Sequence, residues 1–180
     1  MKRKASKRLG FKIDKLTSSI ENKLTGETFE TEIARMGNKD LRLIESSEWE
    51  FDWKSEISEN DRKVYKLTTK ENPDIIQGLV SLEDREDHFF MHLLESAGFN
   101  RNSSKLYQGV PGNLVAFGCK LSFEKGYHGF LVFKAKSKLI EHYEKTLLAK
   151  RFAGNRMFIG TEAAYILVRK YFKDFDNEEK

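Results

Sequence analysis

A glycine–proline turn and a tyrosine about thirty residues further on are the residues of this chain with the most legible chemistry. The turn is Tyr107-Gln108-Gly109-Val110-Pro111-Gly112-Asn113-Leu114, set between an apolar strand-like run and an apolar helix-like run. A glycine-containing turn that opens a helix presents backbone N–H groups without intrahelical acceptors. The positive end of the helix dipole points the same way, so the turn suits a phosphate or pyrophosphate. The tyrosine is Tyr143, on a second predicted helix. A phenol has a reference pKa of about 10, stays protonated at neutral pH and can give its proton to a leaving group. A carboxylate at a strand end could serve beside it as a proton acceptor. Glu95, at the end of an apolar run over 88–96, is the first candidate and Glu83 the second.

Other chemistries find little support. His88, His92, His128 and His142 are scattered. The pair His88 and His92, four apart on a predicted strand, lacks a carboxylate at ligand spacing, so no metal site is expected. The segment Gly109-Val110-Pro111-Gly112 lacks the Lys-Ser/Thr of a nucleoside-triphosphate loop, and no Ser-His-Asp or dinucleotide fingerprint occurs. The single cysteine, Cys119, excludes an internal disulfide and sits among apolar neighbours as a small core residue, which fits a reducing, cytoplasmic setting. The start, Met1-Lys2-Arg3-Lys4-Ala5-Ser6-Lys7-Arg8-Leu9, is basic without a following apolar stretch, so it reads as a solvated tail and not a secretory signal. No apolar run reaches the eighteen or so residues that span a bilayer, so no membrane partner is expected.

The elements that must position the turn and the tyrosine follow from periodicity. With 180 residues the chain can build one well-cored domain. The expected division is a basic tail over 1–9, one domain over 10–173 and an acidic tail over 174–180. Residues 10–36 read as a strand pair turning at Thr25-Gly26-Glu27. Asn38 suits an N-cap for a helix through Leu41 and Ile44. The segment from Trp49 to Trp53 fits a helical turn or a strand. Strands follow at 62–69, 75–82 and 88–96, the last two as an antiparallel hairpin. A polar loop over 97–107 leads to the glycine turn and a helix of about a dozen residues with Leu114, Phe117 and Leu121 on one face. Gly126-Tyr127-His128-Gly129 ends that helix. The continuous apolar run 130–133 suits a strand covered on both faces. Ser137 caps the tyrosine's helix, residues 156–159 form a last strand, and Thr161 caps a last helix. The fold class is therefore α/β: a single mixed, mostly antiparallel sheet with helices on both faces and one βαβ crossover.

This order, with a pyrophosphate-type turn and a tyrosine on the helix after the crossover strand, resembles the GNAT superfamily of acyl-CoA-dependent N-acyltransferases. The likeness covers residues 62–172 well and the first sixty loosely. In that family a loop of the form Gln/Arg-x-x-Gly-x-Gly/Ala wraps the CoA pyrophosphate. Here Gln108 matches the first position, while Pro111 stands where glycine is usual and Asn113 where glycine or alanine is. Proline donates no N–H but is tolerated in a helix's first turn. The segment around Tyr143 resembles the family's tyrosine helix, with Leu148 in place of a usual glycine and Lys136 in place of a common asparagine.

The resemblance implies acetyl-CoA as co-substrate without a metal. It implies cofactor contacts from Gln108, Gly109, Val110, Gly112, Asn113 and Leu114, and from the backbone of Leu93 and Leu94. It makes Tyr143 the general acid and Glu95 the proton acceptor. The implied acceptor is an amine on a small molecule or protein. RNA is a further expected partner through the basic N-terminus. The competing readings are a non-catalytic CoA-binding module and an RNA- or protein-interaction module on the same fold.

Overall fold

A computed structural model describes residues 19–44, 47–101 and 106–177, which build one nine-stranded sheet. The strands are β1 (Ser19–Asn22), β2 (Thr28–Arg35), β3 (Lys63–Thr69), β4 (Gly78–Asp84), β5 (Phe89–Ser96), β6 (Tyr107–Gln108), β7 (Leu131–Lys134), β8 (Lys150–Ala153) and β9 (Arg156–Ile159). The helices are α1 (Trp53–Ser58), α2 (Val110–Glu124), α3 (Ile140–Leu147) and α4 (Thr161–Tyr171). Across the sheet the order is β6-β1-β2-β3-β4-β5-β7-β9-β8. Every neighbouring pair is antiparallel except β5 and β7, which run parallel and are joined through α2. That unit is the expected crossover.

Two apolar clusters cover the two faces. Val80, Leu82, Met91, Leu131, Phe133, Met157 and Ile159 pack with Leu114, Cys119, Leu167 and Val168 of α2 and α4. Trp49, Trp53, Val64, Leu79 and Ala97 form the other cluster, beneath α1. Small side chains let α2 lie close on the sheet. A Cβ on Gly118 would sit 3.2 Å from Leu131 Cδ1, and one on Gly78 of β4 would sit 2.6 Å from Val110 Cγ1. The first turn of α2 is therefore pressed onto Gly78, whose register partner is Ser96 at the end of β5.

Several boundaries depart from the sequence reading. The helix expected after Asn38 is a single stretch of 3-10 helix, Asn38–Leu43, where the Asp40 carboxylate turns back to accept from the Gly37 N–H at 2.9 Å. Trp49 lies outside α1 and Trp53 begins it, with Asp52 accepting from the Ser55 N–H as the cap. The strand expected at 75–82 is displaced to Gly78–Asp84. Thr161 is the first residue of α4 and Gly160 its N-cap, and Ser137 opens a 3-10 turn ahead of α3. The strands β6 and β8 were not anticipated. The basic tail expected at 1–9, residues 178–180 of the acidic tail expected at 174–180, the start of the first strand pair and residues 102–105 of the polar loop lie outside the described residues. Within that acidic stretch Phe175–Asn177 form a 3-10 turn, with Phe175 buried and Asp176 accepting from the Tyr165 hydroxyl at 2.8 Å. Among the described residues no helix is long and apolar enough to cross a membrane.

Candidate active site

The expected phosphate turn begins where β6 leaves the sheet edge, with Gln108 paired to Glu21 of β1. Gly109 then adopts φ 91°, a left-handed conformation natural to glycine, and the helix starts at Val110. Pro111 occupies the first turn and is exposed, so its missing N–H costs no intrahelical bond. The donors that remain by position are the N–H groups of Val110 and Gly112. Asn113 is otherwise engaged. Its backbone N–H and its side-chain amide both donate to the Gly109 carbonyl, at 3.0 and 2.9 Å. The side chains of Val110 and Leu114 are fully buried against β4. Of the residues proposed from sequence for this turn, then, Val110 and Gly112 keep N–H groups at the helix mouth, while Asn113 and Leu114 serve the helix and its packing.

The far side of Gly112 is closed by the C-terminal helix. A Cβ on Gly112 would lie 2.1 Å from the Tyr171 hydroxyl and 2.6 Å from its Cζ. Tyr171 is buried at the end of α4, so the glycine is required by this contact whether or not a phosphate lies in front of it.

The parallel strands supply a second feature. Their register runs Phe89↔Leu131, Phe90↔Val132 and Met91↔Phe133, and β7 ends one residue later at Lys134. Among the described residues no strand pairs with that edge of β5 beyond Met91. The edge from His92 to Ser96, which includes Leu93 and Leu94, is open there to another hydrogen-bonding partner. Tyr143 stands beside this parting, its ring edge-on to Phe133 at 5.5 Å between centroids. Burial raises the pKa of its phenol above the ordinary tyrosine value, which favours the protonated form.

Glu95 takes another task. The ladder between β4 and β5 shifts register between Ser81 and Leu82, so that Leu82 pairs with Met91 and Ser81 with Leu93. His92 is the extra residue of this bulge, and an extra residue reverses which face every later side chain takes. Glu95 is thereby turned to the α1 face and buried. Its Oε1 accepts from the Glu50 N–H at 2.6 Å and from Arg101 Nη1 at 2.9 Å. Its Oε2 accepts from Trp53 Nε1 at 2.7 Å and from the Phe51 N–H at 3.3 Å. With both oxygens committed to four donors, the carboxylate anchors the segment around Trp53 to β5.

Sequence reading also missed a polar network around the bulge. His92 Nε2 lies 2.6 Å from Glu83 Oε2, and His92 Nδ1 lies 3.2 Å from Arg62 Nη1. Arginine only donates, so Nδ1 accepts and Nε2–H donates to Glu83. A hydrogen bond from Arg85 is the main cause that lowers the Glu83 carboxyl below the usual carboxylate range. Arg62 also reaches Glu56, which accepts from the Ser81 hydroxyl at 2.6 Å. The charge pattern Glu83-Glu86-Asp87 disguised this cluster as a solvated turn; only the bulge aims His92 back at Glu83.

No family model matches the chain, and no curated protein matches it. Solved structures match it in shape. The AtaT–AtaR complex bound to DNA aligns with a TM-score of 0.55 at 19% identity, covering 76% of this chain and 98% of that one. AtaTR bound with acetyl-CoA aligns at 0.54 and 16%, covering 76% and 97%. A putative streptothricin acetyltransferase from Bacillus anthracis, in complex with acetyl-CoA, aligns at 0.50 and 11%, covering 73% and 98%. The chain has a GNAT-like acyltransferase fold. In this GNAT-like fold β5 and β7 are the parting strands, α2 is the helix that opens at the glycine turn, and α3 carries the tyrosine. At these identities the likeness is one of fold.

Proposed function

We propose that the protein is an N-acetyltransferase that moves the acetyl group of acetyl-CoA to an amine by direct attack. The observation that carries this reading is the parting of β5 from β7 directly after Met91 and Phe133, with the mouth of α2 at one end and Tyr143 against Phe133. The residues present fit the co-substrate. The N–H groups of Val110 and Gly112 and the dipole of the fifteen-residue α2 suit the pyrophosphate. The open edge at Leu93 and Leu94 suits the amides of the pantetheine arm. The solved structures of this fold that hold acetyl-CoA support the same assignment.

In the reaction the amine nitrogen forms a bond to the thioester carbon, the carbon–sulfur bond breaks, and sulfur leaves with the electron pair. Tyr143 gives its phenolic proton to that sulfur. Its partly buried setting keeps the proton in place until the thiolate forms. The proton released by the amine passes to solvent, because Glu95 is committed to Trp53 and Arg101 and Glu83 is held by Arg85.

Calorimetric titration of the full chain with acetyl-CoA and with CoA tests the reading. Micromolar binding of acetyl-CoA is expected. Pro111 and Asn113 take donors away from the turn, which favours a non-catalytic module as the second reading; absence of acetyl-CoA binding at millimolar ligand would establish that one instead.

A further inference from the structure

Lys134 and Arg156 are register partners across β7 and β9, and both are exposed. Like charges placed directly opposite on a sheet repel and destabilise it. Among the described residues neither has an ion pair or hydrogen bond that would offset this. With Arg85, Phe90, Met91 and His92 they line a pocket of about 260 Å³. The Arg85 guanidinium lies 4.2 Å over the Phe90 ring, which holds it at the pocket's rim. Glu83 is the carboxylate bonded into this group, and it offsets one cation through Arg85 at 2.9 Å. His92 has both ring nitrogens engaged, by Glu83 and Arg62, and adds no donor. Two of the three cations are left uncompensated.

The pocket's place is informative. Met91 and Phe133 are the last paired residues of β5 and β7, and His92 and Lys134 come next on each strand. Side chains alternate along a strand, so Lys134 points to the face opposite Phe133 and Tyr143. The cations thus gather at the parting of the strands, on the side from which an acceptor would approach a thioester lying among Tyr143, β5 and α2.

Resting on the acyltransferase reading, we infer that this pocket binds a phosphate monoester carried by the amine acceptor. A phosphate monoester bears close to two negative charges at neutral pH, which matches the two uncompensated cations. Arg156 offers a planar fork and Lys134 a point charge, the pair of donors phosphate recognition uses.

The test is calorimetric titration of the full chain with O-phosphoethanolamine and with ethanolamine, in wild type and in the double variant Lys134→Gln/Arg156→Gln. O-phosphoethanolamine should bind wild type more tightly than ethanolamine does, and the double variant should lose at least about tenfold of that affinity. The variant's thermal midpoint should equal or exceed that of wild type, because a repulsion is removed, which separates lost binding from lost folding. Equal affinity of the two proteins for O-phosphoethanolamine, or no binding by wild type at millimolar ligand, overturns the assignment. Acetyl-CoA titrated in parallel keeps the two proposals apart. If it binds both proteins while O-phosphoethanolamine fails to distinguish them, the pocket assignment falls alone; if it binds neither while the phosphate ester still discriminates, the acyltransferase reading falls and the phosphate site stands.

Discussion

At Tyr143 burial and chemistry act in the same direction. The raised phenol pKa keeps the proton bound beyond the ordinary limit of about pH 10. The acid form is therefore present below the raised pKa, and the alkaline limb of the turnover profile should fall as pH rises through it. Tyr143→Phe keeps the edge-on contact with Phe133 and deletes the proton. We expect kcat to fall about 10²–10⁴-fold, roughly 3–5 kcal/mol of barrier, with acetyl-CoA affinity unchanged. Equal turnover of the two proteins in a steady-state assay would assign the proton to water. Glu95 gives the contrasting case. Its four donors predict that Glu95→Ala destabilises the fold by about 3 kcal/mol, since Arg101 and the Trp53 indole lose a buried partner. A urea titration measures that loss. A glutamine at the same place that left stability intact but abolished turnover would restore Glu95 as a base. Its position at a strand end was readable in the sequence. The face it takes was not, because the bulge at His92 depends on pairing with β4 and leaves no local mark.

Among the elements, the crossover β5–α2–β7 was the most legible, since it is written in long apolar runs and in glycine turns at both ends of α2. The two missed strands explain themselves physically. Tyr107–Gln108 is a strand only because β1, some eighty residues earlier, lies beside it. Lys150–Ala153 is an exposed edge strand with no alternation of buried and exposed side chains. Leu148, which stands out from sequence as an unusual residue at the end of the tyrosine helix, adopts φ 54° there, a conformation that disfavours a branched apolar side chain. The contact between α2 and α4 was also hidden, although it governs the helix mouth. Gly112→Ala brings a methyl group into the Tyr171 ring, and Tyr171 is too buried to turn aside. A loss of about 1–3 kcal/mol is expected. The loss should shrink by more than about 1 kcal/mol when Tyr171 is replaced by alanine, a coupling that a double-mutant cycle measures. Additive losses would mean that the two residues do not share this space.

For the molecule as a whole, charge and ligand linkage act over different ranges. The formal net charge is +4, and five cations lie in the first nine residues, which leaves +4 − 5 = −1 on the remainder. Long-range attraction to a polyanion such as RNA would therefore rest on that terminus, whereas the pocket at Lys134 and Arg156 acts only at contact. Acetyl-CoA binding reaches further into stability. As proposed, it engages the mouth of α2, the open edge of β5 and the face of α3, elements brought together only by folding. A ligand held by such a set binds the folded chain and not the unfolded one. At a hundred times its dissociation constant it should add about 2.7 kcal/mol to the stability of the fold. For a chain of this length 1 kcal/mol moves the thermal midpoint by about 2–4 °C, so the expected rise is roughly 5–10 °C. Tyr143→Phe should show the same rise, because the phenol proton takes no part in ground-state binding. Gly112→Ala should show a smaller one, because the added methyl, held off by the buried Tyr171 ring, displaces the N–H groups at the helix mouth. A midpoint that stays fixed across acetyl-CoA concentrations in wild type would mean that these elements do not form a common site.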